Sequence, residues 1–157
     1  MDLKKGYLQD HLFSKPRKIK RKVTKTSPER TTSQISILHV EDNEQIANLV
    51  REMFVGEEWV VELCADGYGA LEKLTGNNHY DVLVVDNDLP GLSGIELVER
   101  ARKMRHRNRT PIVMLSGSNC ETEAWGVGVQ AFLKKPEQIS ELPSTINRLL
   151  EVQRKRD

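Results

Sequence analysis

The sequence is poor in cysteine and has no long apolar run. Only Cys64 and Cys120 occur among 157 residues, too few for a disulfide framework or a tetrahedral zinc site. No apolar stretch approaches the roughly 18 residues that a membrane span needs, and the N-terminus lacks the apolar core of a secretory signal. We therefore expect a cytoplasmic protein with reduced thiols, no membrane span and room for one domain.

Net charge is nearly absent too, because 24 basic and 23 acidic residues leave only +1. The charges are unevenly placed: residues 1–34 carry ten basic and three acidic side chains, whereas residues 35–157 carry 14 basic and 20 acidic ones. The N-terminal segment has no apolar periodicity, so it cannot bury enough surface to offset its ordering entropy. We predict a disordered basic tail over 1–34. A solvated extension, an upstream stretch included in error and an arm that contacts nucleic acid, an anionic membrane or an acidic partner all stay open.

From residue 35 onward, apolar β-rich runs alternate with segments of helical periodicity. Strands are predicted over 35–40, 59–64, 81–86, 111–116 and 129–134, and helices over 44–54, 67–74, 95–104 and 139–154, the last interrupted near Pro143. Such alternation predicts an α/β fold with a doubly wound parallel sheet and helices on both faces. His39, inside the first strand, is predicted to be a core histidine with its hydrogen bonds satisfied.

Polar side chains follow four of these strands at their carboxyl ends, where such sheets carry their sites. In chain order they are Glu41, Asp42, Asp86, Asp88, Ser116, Ser118 and Lys135. Clustered acids cannot all ionise unless a positive charge joins them, and Mg²⁺ with oxygen ligands does this. A carboxylate can attack a phosphoryl group, and ammonium and hydroxyl groups can bind its oxygens.

Four segments together resemble a response-regulator receiver domain of two-component signalling. They are ILHVEDNE (37–44), DVLVVDNDLPGLSGIEL (81–97), PIVMLSGS (111–118) and AFLKKP (131–136), and they stand in the order of the family. The resemblance covers about residues 35–153, so we assign a receiver domain to 35–157. It implies a flavodoxin-like sheet of five parallel strands in the order 2-1-3-4-5.

The resemblance also implies the roles of the acidic residues. Asp86 matches the phosphoacceptor. Glu41 and Asp42 match the acidic pair that holds Mg²⁺ together with Asp86, and the backbone carbonyl of Asp88 matches a further ligand position. The Asp88 side chain occupies a variable position that influences the lifetime of the phosphoryl group, as does Ser118.

The remaining matched positions concern the phosphoryl oxygens and the signal. Lys135 matches the invariant lysine of the family, whose bond to the following proline, here Pro136, is usually cis. Ser116 matches the switch hydroxyl. Phe132 matches the aromatic switch position, although an apolar residue on a strand is equally compatible with a role in the core.

One stretch departs from the family pattern. Residues 117–134 are about one helical turn shorter than usual and contain Gly126 and Gly128, and glycine costs ~1 kcal/mol in a helix interior. We predict a shortened fourth helix near 120–126. The resemblance therefore carries over least to the output face that helix four, strand five and helix five form in the family.

The leading hypothesis is a signalling receiver and not a conventional enzyme. A histidine kinase or a histidine phosphotransfer protein would supply the phosphoryl group to Asp86, and the domain would promote its own phosphorylation and dephosphorylation. It would signal by contact with an unknown downstream protein; a homodimer and nucleic-acid contact by the basic tail are further options. The few residues after the last predicted helix favour a stand-alone regulator, with a fragment of a hybrid protein as the alternative.

Two other functions stay open. A phosphohydrolase of the haloacid dehalogenase type is suggested by Asp86-Asn87-Asp88, although the additional metal acids of that family follow the nucleophile, whereas Glu41 and Asp42 precede it. The second alternative is a nucleic-acid-binding protein with a basic tail and a degenerate receiver body, which requires salt-sensitive binding that depends on residues 1–34.

Overall fold

The computed structural model describes residues 34–157, so the predicted disordered tail over 1–34 lies outside the described residues except for Gln34. Strands are β1 (Ser36–Val40), β2 (Val60–Cys64), β3 (Val82–Val85), β4 (Ile112–Ser116) and β5 (Ala131–Lys134). Helices are α1 (Glu44–Gly56), α2 (Gly67–Thr75), α3 (Gly94–Lys103), α4 (Glu121–Val127) and α5 (Leu142–Arg154). Over residues 34–157, no helix combines the length and apolar character needed to cross a bilayer.

The strands form one parallel sheet in the order β2-β1-β3-β4-β5. This confirms the predicted fold class and strand order. The direction of winding changes between β1 and β3, which pair directly with Val40 opposite Val85. Residues that follow these two strands consequently lie on either side of the topological switch point, where such folds place their sites.

Each face of the sheet has its own apolar core, because successive side chains of a strand point to opposite faces. Leu38 of β1 and Met114 of β4 belong to the core shared with α2, α3 and α4. On the other face, Ile37 and Leu115 pack in the core that contains residues of α1 and α5. All four residues of β3 are buried, as expected of a central strand that is covered on both sides.

The two last helices differ in how well their predicted limits hold. The prediction of a shortened fourth helix is confirmed: α4 has seven residues and ends at Gly128, whose φ of +94° is the left-handed conformation that favours glycine. The segment predicted as the last helix, 139–154, changes its helix type two residues before Pro143. A 3₁₀ turn, Ile139–Glu141, precedes α5, and Pro143 lies in the first turn of the helix, where its missing N–H costs nothing.

A glycine brings helix α3 against the backbone of strand β3. A Cβ atom on Gly94 would lie 2.1 Å from the Asp86 carbonyl oxygen, so no other residue fits without movement. The Gly94 N–H donates to the Asn87 carbonyl at 3.0 Å, and the Ile95 N–H donates to Asn87 Oδ1 at 3.1 Å. The turn after Asp86 is therefore held tightly to the start of the helix.

His39 lies in the core, as the sequence analysis predicted. It is the fourth of five residues in β1 and is 1% exposed, with its ring edge-on to Phe54. The expectation of satisfied hydrogen bonds was wrong, because neither ring nitrogen has a partner within residues 34–157. Burial, assisted by the positive charge of Lys135, lowers the pKa of His39 to about 4.

This lowered pKa predicts a pH-dependent contribution of His39 to stability. The unfolded chain takes up the proton near pH 6.5 and the folded protein only near pH 4, so stability falls as the pH drops through that window. Between pH 6.5 and pH 4, we expect the free energy of unfolding to fall by about 3 kcal/mol more in wild type than in His39→Val. Urea unfolding of metal-free protein at several pH values measures this, with His79→Asn as the exposed-histidine control. Parallel pH profiles for wild type and His39→Val would contradict it.

Candidate functional site

Three acidic side chains meet at the carboxyl edge of the sheet. Glu41 and Asp42 directly follow β1, and Asp86 directly follows the neighbouring strand β3. One carboxylate oxygen from each lies within 4.8 Å of those of the other two. Glu41 and Asp86 are 4% and 2% exposed, whereas Asp42 is open to solvent. The structure thus brings together the acidic residues that the sequence analysis placed in one site.

Lys135 joins two of these acids from the other side. Its Nζ lies 2.9 Å from Glu41 Oε2 and 3.2 Å from Asp86 Oδ2. The residue directly follows β5, and its backbone N–H donates to the Ser116 carbonyl at 3.0 Å, which extends the pairing of β4 and β5 by one step. The bond between Lys135 and Pro136 is cis, as the resemblance implied.

Burial and charge act against each other in this cluster. Burial raises the pKa of the Glu41 carboxyl, and the nearby Asp86 charge adds to this, while the hydrogen bond from Lys135 opposes it. Burial alone would lower the pKa of Lys135, but its hydrogen bond to Glu41 and the charges of both carboxylates outweigh it and raise that pKa. The ammonium group therefore stays charged, whereas removing Glu41 from water makes its ionised form costly.

The cluster suits a hard divalent cation. Among the described residues, Lys135 is the single cation paired with these acids, so full ionisation leaves an excess of negative charge. Asp86 Oδ1 is buried and has no hydrogen-bond partner in the described part of the chain. Carboxylate oxygens of this kind, together with water, are the ligands that Mg²⁺ prefers.

Other predicted site residues lie around this centre. Ser116 is buried at the end of β4, and its Oγ is 2.9 Å from Ser118 Oγ. Asp88 is exposed in the loop between β3 and α3, two residues after Asp86. Phe132 is partly buried and packs against the core that α2, α3 and α4 cover, so its ring lies at the edge of that core.

Sequence reasoning missed two residues that shape the surroundings of the site. Asn87 was read only as part of an acidic tripeptide, yet its side chain and carbonyl hold the loop after Asp86 to the start of α3. Cys120 was assigned nothing, although its Sγ accepts a hydrogen bond from Ser118 Oγ at 3.3 Å. The short side chain of Asn87 just before a helix is a recognisable signal, whereas no local pattern marks the contact of Cys120.

Fold and site together define a doubly wound domain with a lysine-bridged acidic pocket at its switch point. The family model of the response regulator receiver domain matches residues 37–147. The chain belongs to this family. It is a receiver domain of two-component signalling, and such domains are signalling phosphoacceptors that bind Mg²⁺ at an acidic pocket and interact with histidine kinases or phosphotransfer proteins.

Curated relatives agree with this assignment. The chain is 34% identical over 119 residues to the regulatory protein VanRB of Enterococcus faecalis and 32% identical over 124 residues to hybrid signal transduction histidine kinase G of Dictyostelium discoideum. These alignments cover 74% and 75% of this chain but 52% and 4% of the relatives. The chain thus spans about half the length, or less, of these two relatives.

Solved receiver structures match the fold over their whole length. A CheY-like receiver from Methanospirillum hungatei superposes with a TM-score of 0.73 at 26% identity, covering 80% of this chain and 100% of that one. The receiver of sensor histidine kinase PA1611 from Pseudomonas aeruginosa, which holds a magnesium ion in its active-site cleft, gives 0.70 at 26% identity, covering 76% and 99%. Neither the phosphohydrolase nor the degenerate-receiver alternative is favoured by these matches.

The bridging contacts of Lys135 predict how the metal-free domain responds to its loss. Lys135→Met leaves Glu41 and Asp86 buried without their cation, which should cost about 3 kcal/mol at neutral pH. Added Mg²⁺ should recover more stability in this variant than in wild type, because it supplies the missing positive charge. Urea unfolding with and without Mg²⁺ measures both effects.

Lys134→Met is the matched control, since the Lys134 ammonium group is exposed and bonds only Asn119 among the described residues. An equal loss of stability in both variants would contradict the proposed balance of charge in the pocket.

Proposed function

We propose that Asp86 of this chain accepts a phosphoryl group from the phosphohistidine of a histidine kinase or a phosphotransfer protein. The observation that carries the proposal is the state of its carboxylate. Asp86 is buried, one oxygen contacts the Lys135 ammonium group, and the other has no partner in the described chain although two further acids lie beside it. Such an arrangement leaves one carboxylate oxygen ready for chemistry.

In the transfer step, an Asp86 carboxylate oxygen attacks phosphorus as the phosphorus–nitrogen bond to the donor imidazole breaks. The histidine leaves as a neutral ring after taking up a proton, and Asp86 becomes an acyl phosphate. Lys135 is already held 3.2 Å from Asp86 Oδ2 and can bind a phosphoryl oxygen as a fixed charge. Attack of water on phosphorus then releases phosphate and restores the carboxylate, which ends the signal.

Glu41, Asp42 and Asp86 would hold Mg²⁺, with the backbone carbonyl of Asp88 as a further ligand. The ion would neutralise charge on the transferring group and align it for attack. Support comes from the three clustered carboxylates, whose negative charge the Lys135 ammonium group balances only in part. Because Asp42 is the exposed member, it can exchange water for metal without breaking an ion pair.

Ser116 would report the modification. It is buried at the end of β4, the strand next to β3, and its hydroxyl can donate to a phosphoryl oxygen only once that group is present. Phe132, on the adjacent strand β5, would follow this movement with its partly buried ring. The Asp88 and Ser118 side chains would influence the access of water and thereby the lifetime of the acyl phosphate.

The signal would pass by contact with a downstream protein in the cytoplasm. Support comes from α4, where Trp125 is 48% exposed beside the shortened helix end. A homodimer is a second way to transmit the signal. Contact of the basic tail, residues 1–34, with nucleic acid is a separate proposal that rests on its charge alone.

Replacement of the acceptor tests the proposed function. Asp86→Asn should take no label from phosphohistidine or from acetyl phosphate in the presence of Mg²⁺, because an amide is not a nucleophile for this step. Asp88→Asn is the control, since it alters a neighbouring acid while leaving the backbone carbonyl in place, and it should still be labelled. Equal labelling of Asp86→Asn and wild type would overturn the assignment.

Mg²⁺ affinity provides a separate prediction. Asp42→Asn removes one carboxylate of the proposed site and should weaken Mg²⁺ binding by roughly tenfold or more, whereas it leaves the Lys135 ion pairs intact. Isothermal titration calorimetry measures the affinity. Glu44→Gln removes an exposed acid in the first turn of α1 and serves as the control, with an affinity close to that of wild type. Similar weakening in both variants would indicate a nonspecific charge effect and contradict the site.

A further inference from the structure

We propose that Ser118 is a positioning residue that holds the hydroxyl hydrogen of Ser116 in the resting protein, so that phosphorylation has to draw this hydrogen away. This inference deepens the proposed function and rests on it, because Ser116 is there the donor to the phosphoryl group. Ser118 would then affect phosphorylation through Ser116 and without touching Asp86.

The contacts around Ser116 carry the proposal. Its Oγ is 2.9 Å from Ser118 Oγ and accepts a hydrogen bond from the Ser118 backbone N–H at 3.2 Å. Ser118 Oγ in turn donates to Cys120 Sγ at 3.3 Å, and Cys120 Sγ lies 3.9 Å from Ser116 Oγ. Three side chains at alternate positions thus form a closed group between the end of β4 and the start of α4.

The number of hydroxyl hydrogens limits which atoms of this group can donate. A hydroxyl has one hydrogen to donate. The serine pair alone allows either oxygen to donate, and donation from Ser118 to Cys120 Sγ assigns the shared hydrogen to Ser116. The Ser116 oxygen already accepts from the Ser118 backbone, so both functions of this hydroxyl are engaged within the group.

Donation from Ser116 to a phosphoryl oxygen therefore requires the Ser116–Ser118 hydrogen bond to break. The free energy of the broken Ser116–Ser118 hydrogen bond is therefore subtracted from the free energy gained when Ser116 donates to the phosphoryl oxygen. Loss of the Ser118 hydroxyl removes that cost, because the Ser116 hydrogen then has no partner to leave.

A titration with beryllium fluoride, a phosphoryl mimic, in the presence of Mg²⁺ tests this at equilibrium. Ser118→Ala in the full chain should bind the mimic about fivefold more tightly than wild type, the equivalent of one ordinary hydrogen bond. Ser118→Thr keeps a hydroxyl and should restore the wild-type affinity. Ser140→Ala, at an exposed serine in the 3₁₀ turn, is the control and should bind like wild type.

A second measurement separates this role from a general structural one. In a Ser116→Ala background, Ser118→Ala should leave the affinity for the mimic unchanged, because there is no longer a hydrogen to hold. An effect of the same size with and without the Ser116 hydroxyl would overturn the inference, as would unchanged or weaker binding by Ser118→Ala alone.

Asp86→Asn distinguishes the failure of this inference from that of the proposed function. If wild type binds the mimic and Asp86→Asn does not, the phosphoacceptor assignment stands, and the Ser118 variants decide the inference on their own. If wild type fails to bind, or if Asp86→Asn binds equally well, both the proposed function and the role of Ser118 are overturned.

Discussion

The structure depends on the balance of charge at the carboxyl edge of the sheet. Glu41 and Asp86 are buried carboxylates, and leaving them without a partner would cost several kcal/mol each. Lys135, which is 94 positions from Glu41 in the chain, reaches both of them. These contacts join β1, β3 and β5 at a single point, so the ends of three strands have to be correctly placed before the charges are balanced. Lys135 alone does not neutralise Glu41, Asp42 and Asp86, so the acidic cluster needs a further cation.

This incompleteness is what gives the site its proposed chemistry. A fully satisfied carboxylate would stabilise the fold but would have no oxygen left to react. Asp86 keeps one oxygen without a partner among the described residues, and burial makes this costly for the metal-free domain. The unpartnered oxygen lowers the stability of the metal-free domain and keeps the carboxylate reactive. The apolar cores on both faces of the sheet supply the stability of the fold.

The sheet and the acidic pocket were predictable from the sequence, because the sheet follows from repeated apolar runs and the pocket from acids that directly follow those runs. Alternating apolar runs predict a parallel sheet, and the order 2-1-3-4-5 came from the resemblance. Acids at strand ends then have to converge, as Glu41 and Asp86 do. The shortened α4 was predictable because Gly128 is in the chain where a longer helix would run. The unpartnered ring of His39 and the contact between Cys120 and Ser118 were not predictable, since both depend on how particular side chains meet across the fold.

The central claim is that the reactive oxygen in this pocket belongs to Asp86. Its most direct test is mass spectrometry of wild-type protein that has been phosphorylated with acetyl phosphate and Mg²⁺ and then reduced with borohydride, which converts an aspartyl phosphate to homoserine. We predict homoserine at position 86 and at no other position. Homoserine elsewhere, or a phosphate that survives reduction on a serine or histidine side chain, would contradict it.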